Sequence, residues 1–284
     1  MSNSPLLEIK NLNISYVSSN GNERVIVNAG NLSINPGEIV LIIGENGSGK
    51  SSIFKSIVGD LNDDLLVKIK TSIRNLFKRN KAKFRNKKEL YFNGKHIVSD
   101  SDLNLFRQSI GYSSQEDDVD KFYERKVWNY VLDYMSSAYG YSSYSTSELE
   151  ERAQFVYDEL ECNKYCEGRL KRMKLKKCSG GEKKITSLLA ALCRRDARLI
   201  ILDEPLNNLD AFHARKLNNY LVELKRKPNP PGILIITHCP MFLDVDKVYE
   251  LKKGKLTLLE NGKYVPKNCY GICDLNLKKY LEEE

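Results

Sequence analysis

The sequence predicts an α/β fold built on a parallel sheet, and three observations carry the prediction. Apolar runs of strand length fill Ile39–Ile43 and the centres of 198–203 and Gly232–Thr237, as in strands covered on both faces. The first of them leads through a glycine-rich loop, Gly44 to Gly49, into a helical segment from Ser51 to Gly59. Strand, loop and helix in that order open a doubly wound sheet.

The remaining elements follow from pattern and punctuation. Residues 6–16 alternate apolar and polar side chains, the signature of a half-buried strand, and Asn20-Gly21 turns the chain into a second extended run, Val25-Ile26-Val27. Pro36-Gly37 supplies the turn before the first apolar strand. Leu65, Leu66, Ile69, Ile73, Leu76 and Phe77 recur at helical spacing, which predicts an amphipathic helix over 65–79 with a cationic face. Strand-like patterns return at 90–95 and 109–114. Residues 123–175 read as helical, interrupted by a serine-rich loop at 136–147. A helix over 211–227 ends at the Pro-rich connection 227–232, and short strands at 247–251 and 255–259 flank Gly254. No internal repeat is visible.

The 284 residues suffice for one large domain or two small ones. With 41% hydrophobic and 29% charged residues the composition excludes global disorder. No apolar run approaches the roughly 18–20 residues needed to cross a bilayer, and no charged-then-apolar leader opens the chain, so neither a membrane span nor a secretion signal is expected. The formal charge of +8 is local. Ten basic residues (Lys68, Lys70, Arg74, Lys78, Arg79, Lys81, Lys83, Arg85, Lys87 and Lys88) and no acidic one fall in 65–88, and the rest of the chain carries −2. Seven cysteines without a leader predict reduced thiols; the pairs Cys162/Cys166 and Cys269/Cys273 are read as unlinked thiols, not a zinc site.

Two motifs carry chemistry. Gly44-Glu45-Asn46-Gly47-Ser48-Gly49-Lys50-Ser51 fits the phosphate-loop pattern G-x-x-x-x-G-K-[ST] and lies between a strand and a helix, where that mechanism needs it. Its glycines let backbone N–H groups surround phosphates, Lys50 adds a point charge, and the Ser51 hydroxyl is placed to ligate Mg2+. In the stretch LIILDEP, Asp203 and Glu204 emerge at a strand's C-terminal end, where open α/β sheets bind nucleotides. Asp203 is expected to hold Mg2+ through its water shell and Glu204 to polarise an attacking water.

Further motifs make a family resemblance. Lys177-Cys178-Ser179-Gly180-Gly181-Glu182, with Ser179 placed 24 residues before Asp203, resembles the signature sequence of ATP-binding cassette (ABC) ATPases. Gln115 resembles the family's Q-loop glutamine, Asn207-Asn208-Leu209-Asp210 its D-loop, and His238 its switch histidine. Tyr16, ending the first strand, falls where the family stacks an aromatic on adenine. The ordered motifs span about residues 6–260. Cys178 and Glu182 depart from the signature's commonest leucine and glutamine, and Asn207-Asn208 from the small residues of the D-loop, while the serine and glycines that meet phosphate are kept.

The resemblance implies a P-loop NTPase core of ABC type (a RecA-like sheet) with an antiparallel β subdomain and a helical subdomain at about 118–180. It implies a single ABC ATPase domain over 1–284, with a basic insertion at about 65–88 and a C-terminal extension at about 261–284. ATP and Mg2+ are the implied cofactors. Glu204, His238 and Gln115 are the implied catalytic groups, and Ser51, Gln115 and Asp203 the metal-associated ones. Nucleotide contacts are implied for Tyr16, for Gly44 through Ser51 and the adjoining Ser52, and for Ser179, Gly180, Gly181 and Asp210. A second cassette, identical or not, supplies the opposing signature, and polytopic membrane subunits are the implied partners of a cytoplasmic chain peripheral to the membrane. The expected function is the ATP-hydrolysing subunit of an ABC transporter; the alternative is a soluble ABC ATPase of an assembly or regulatory complex. For 65–88 the options are a solvated elaboration, contact with anionic lipid, or contact with an acidic partner loop; nucleic acid is not an expected partner.

Overall fold

The computed structural model describes residues 4–18, 20–59, 83–114, 119, 122–139, 144–194, 196–238, 242 and 244–259. Strands β1 (Leu7–Val17) and β2 (Glu23–Ile34) open the chain, and β3 (Ile39–Ile43) leads through the glycine loop to α1 (Lys50–Val58). Then come β4 (Lys83–Phe92), β5 (Lys95–His96), α2 (Asp100–Gln108), β6 (Ile110–Ser113), α3 (Val127–Tyr139) and α4 (Thr146–Glu159). Short 3-10 turns follow before α5 (Gly180–Leu192), β7 (Leu199–Asp203), α6 (Ala211–Lys225), β8 (Gly232–Thr237), β9 (Lys247–Lys252) and β10 (Lys255–Leu258).

These strands form two sheets, one of order β2-β1-β4-β5 and one of order β10-β9-β3-β8-β7-β6. The first is antiparallel throughout. In the second, β9, β3, β8, β7 and β6 pair in parallel and only β10 is antiparallel to its neighbour. The apolar runs behave as strands with two covered faces. Leu41, Leu202 and Ile235 join a core formed with α3, α4, α5 and α6, while Ile42, Ile201 and Leu234 join one formed with α1 and the antiparallel sheet. The architecture is thus the predicted α/β core with an antiparallel β flank. It places the C-terminal ends of β3, β7 and β8 side by side.

Several elements differ from the expectation. Of the expected insertion 65–88, residues 83–88 belong to β4, with Lys83, Phe84, Arg85, Asn86 and Lys87 opposite Val17, Tyr16, Ser15, Ile14 and Asn13. Arg85 and Lys87 are exposed, so the charge at these positions points to solvent and the basic part of the strand shows no apolar alternation to read. The helix expected over 65–79 and the extension 261–284, with Cys269 and Cys273, lie outside the described residues. Helix α3 runs on into the expected serine-rich loop, and 162–177 form 3-10 turns where α-helix was expected. Strand β2 is twelve residues long, beyond the predicted three-residue core of apolar side chains. Helix α2, unforeseen, starts from a capping box in which Ser99 and Asp102 each bond the other's backbone N–H. Cys162 and Cys193 are free, buried thiols; burial raises both, Cys193 to about 12. Among the described residues no helix is long and apolar enough to cross a membrane.

Candidate functional site

A cleft of about 800 Å³ opens where the C-terminal ends of the parallel strands meet the antiparallel sheet. Gly44 to Ser52 line it, with Glu204, Asn207 and His238 nearby and Tyr16, Arg24 and Phe84 contributed by the antiparallel sheet. Local chemistry dictates the loop. Gly44 approaches β9 so closely that a Cβ would stand 2.5 Å from the Leu251 carbonyl oxygen. Gly49 caps α1 at φ 106°, and a Cβ there would meet Ile26 Cγ2 at 2.1 Å. Helix α1 opens with no side-chain cap, so its N-terminal amides and positive dipole end face the cleft.

Lys50 turns back over this loop. Its Nζ donates to the carbonyl oxygens of Gly44 (2.8 Å) and Glu45 (3.1 Å) and lies 3.8 Å from Glu204 Oε1. Burial lowers the ammonium's pKa, against the attraction of Glu204 and Asp203. Asp203 ends β7 and is 1% exposed. Burial pushes its carboxyl up to about 6 despite a hydrogen bond from Ser51, and neighbouring Glu204 adds to the rise. Asp203 Oδ1 is buried with no hydrogen-bond partner, as is Ser48 Oγ.

Glu204 is the most constrained residue of the site. It adopts φ 47° and is 3% exposed. Thr237 Oγ1 donates to its Oε2 (3.1 Å), and the His238 backbone N–H donates to Oε1 (3.1 Å) and Oε2 (3.2 Å). His238 Nδ1 lies 2.8 Å from Oε2, a contact that puts a proton on Nδ1, because an ionised carboxylate only accepts. Burial opposes ionisation, but the bonds from His238 and the charge of Lys50 outweigh it and hold the Glu204 carboxyl below its ordinary range.

The other expected residues are placed elsewhere. Ser179 caps α5 in a capping box: its Oγ accepts from the Glu182 N–H (3.3 Å) and Glu182 Oε2 accepts from the Ser179 N–H (2.6 Å). A glutamate in place of the family's glutamine is therefore satisfied locally. Ser179 and Gly180 are exposed, and Ser179 to Gly181 do not line the cleft. Asp210 caps α6, accepting from the His213 N–H at 2.8 Å and pairing with His213 Nδ1 at 2.8 Å. Gln115 lies outside the described residues. Sequence reasoning missed Arg24, Phe84 and Thr237. It also missed Lys184, whose buried Nζ donates to the backbone oxygens of Asp203 (2.9 Å) and Ser114 (3.2 Å) and so ties α5 to the acidic pair. Its sequence signal is a lysine within the mostly apolar run of α5.

Residues present here fit a polyphosphate and a divalent cation. A buried ammonium and an uncapped helix N-terminus suit phosphate, and the orphaned oxygen of Asp203 beside Ser51 suits a cation. Fold and site together define a P-loop protein of the cassette type. The chain belongs to the ABC transporter family, whose model matches residues 27–207.

A chain of Clostridium acetobutylicum assigned to the ABC transporter ATP-binding proteins is 28% identical over 273 residues, which cover 94% of this chain and 83% of the relative. The phosphonates import ATP-binding protein PhnC of Fusobacterium nucleatum subsp. nucleatum is 26% identical over 88% of this chain and 90% of its own. Among solved structures, the dimeric bacterial ABC transporter cassette MJ0796 matches with a TM-score of 0.70 at 22% identity, over 88% of this chain and 96% of that one, a likeness of fold.

Proposed function

We propose that this chain is the ATP-binding and ATP-hydrolysing subunit of an ABC transporter, energising transport through separate membrane subunits as two cassettes close on ATP. The observation that carries the reading is Glu204, buried yet held ionised by His238 3.8 Å from the Lys50 ammonium. A carboxylate kept charged beside a phosphate loop is suited to accept a proton from a water attacking the terminal phosphate. In this reading the loop from Gly44 to Ser52 orients the phosphates and Lys50 exchanges its carbonyl partners for them. Tyr16 stacks on the base. His238 keeps Glu204 charged, and as an imidazolium it would also donate from Nε2 to the terminal phosphate. Mg2+, when bound at Ser51 and Asp203, with Gln115 added, neutralises charge on the phosphates.

The exposed capping box at Ser179 supports the second half of the proposal. With Ser179 to Gly181 outside the chain's own cleft, the Ser179 hydroxyl and the Gly180 and Gly181 amides at the start of α5 would face a nucleotide held by another cassette, and Asp210 with Asn207 and Asn208 would lie along that seam. The helices α3 and α4 and the turns up to the signature, at about 118–180, form the helical subdomain in this account and are the expected seat of the membrane subunit. Importer ATPases among the relatives, such as PhnC, support transport as the purpose.

Sedimentation with ATP and with ADP, followed by purification from membranes, tests the proposal. Association into a two-cassette species with ATP and recovery with a polytopic membrane subunit are expected. A chain that hydrolyses ATP yet stays monomeric and recovers in a soluble complex without such a subunit contradicts the transport role.

A further inference from the structure

Tyr16 does not stand alone in the cleft. It pairs with Arg24 on β2 and with Phe84 on β4, so Arg24, Tyr16 and Phe84 form one transverse row on one face of the antiparallel sheet. All three line the cleft that holds the phosphate loop. Phe84 meets Tyr16 edge to face, with ring centroids 5.4 Å apart and planes at 63°. It is 42% exposed and is the one apolar residue in the stretch Lys83-Phe84-Arg85-Asn86-Lys87-Lys88. On the alternate positions of the same strands, Ser15 Oγ donates to Glu23 Oε1 (2.5 Å) and Arg85 Nη1 donates to Glu23 Oε2 (2.9 Å). Those bonds lock β1, β2 and β4 together at this end of the sheet, and with them the spacing of the row.

We infer that Phe84 is a second nucleobase contact, which with Tyr16 forms an aromatic platform flanked by the Arg24 guanidinium. The inference rests on the reading of the cleft as an ATP site and adds to it a residue from a different strand. The physical basis is that a half-exposed phenylalanine ring at the cleft offers a π-face that water serves poorly and a purine serves well. The packing of Tyr16 against Phe84 sets the angle between the two rings, so the platform is in place before the base arrives.

The test compares two probes on the full-length chain, ATP and inorganic tripolyphosphate, the second lacking a base. Loss of one stacking contact is expected to weaken ATP binding by Phe84→Ala about 5- to 150-fold. Tripolyphosphate affinity is expected to stay at the wild-type value, and Phe84→Tyr and Phe84→Trp are expected to bind ATP nearly as wild type does. Unchanged ATP affinity in Phe84→Ala overturns the inference. Equal weakening of both probes also overturns it, because Phe84 would then be supporting the sheet alone. A wild-type chain that binds neither probe shows instead that the nucleotide reading of the cleft has failed, and the inference falls with it.

Discussion

At Glu204 three partners from β8 and its C-terminal end work against burial. Thr237 and the backbone and ring of His238 supply donors, and Lys50 supplies charge, so the carboxylate stays ionised at 3% exposure. Removing the ring reverses the balance, because burial then acts with less opposition and raises the carboxyl's pKa. In His238→Ala the acid limb of the kcat–pH profile is therefore expected to move to higher pH. A profile whose acid limb stays in place would show that His238 does not set the charge of Glu204. Asp203, one position earlier, goes the other way: its carboxyl is raised and one oxygen lacks a partner. Two adjacent acids thus differ, one held charged by its partners and one raised by burial with an oxygen that no group among the described residues meets.

Between elements, α1 is fastened at both ends. Its start packs through Gly49 against Ile26 of β2. Near its end, Lys88 of β4 donates to the Ser56 carbonyl and hydroxyl oxygens, and Arg107 Nε donates to the Val58 carbonyl oxygen at 2.7 Å. Burial lowers the Lys88 ammonium to about 8. Its folded-state pKa lies below the unfolded value of 10.5, so at this group the unfolded chain binds more protons between about pH 8 and 10.5, and its contribution to stability rises with pH across that window, while the raised thiols of Cys162 and Cys193 act in the opposite direction. The Lys88 contribution is expected as a difference: between pH 7.5 and pH 10 the unfolding free energy in urea changes in favour of wild type over Lys88→Met by at most ~3 kcal/mol. An identical slope in the two proteins would contradict the burial account.

The same strand shows where the sequence stops being legible. Parallel strands β3, β7 and β8 could be read because both of their faces are apolar, and the phosphate loop because its chemistry demands glycines, a lysine and a hydroxyl at set spacing. The basic part of β4, 83–88, could not, since its charged residues are held by pairing with β1, some seventy positions away, and not by their own pattern. Phe84 and Lys184 were missed for the same reason. One matters through a cross-strand neighbour, the other through backbone oxygens at Asp203 and Ser114, 19 and 70 residues distant. The basic character of 65–88 misled at its boundary because charge composition does not distinguish an exposed edge of a strand from an insertion.

At the scale of the whole molecule the two sheets divide the cleft between them. The parallel sheet brings the phosphate loop, Asp203, Glu204 and His238 together, and the antiparallel sheet lays Arg24, Tyr16 and Phe84 against the same cleft. Lys184 joins α5, which begins at Ser179, to the carbonyl of Asp203, so the exposed signature and the buried acids share one rigid support. The central claim is that this assembly serves hydrolysis through Glu204. ATP affinity and ATP turnover measured side by side for the full-length chain and for Glu204→Gln test it most directly. The amide keeps the size of the side chain and loses the charge that accepts a proton, so affinity is expected to remain within a few-fold while turnover falls about 10²- to 10⁴-fold. Turnover in Glu204→Gln equal to that of wild type would contradict the account.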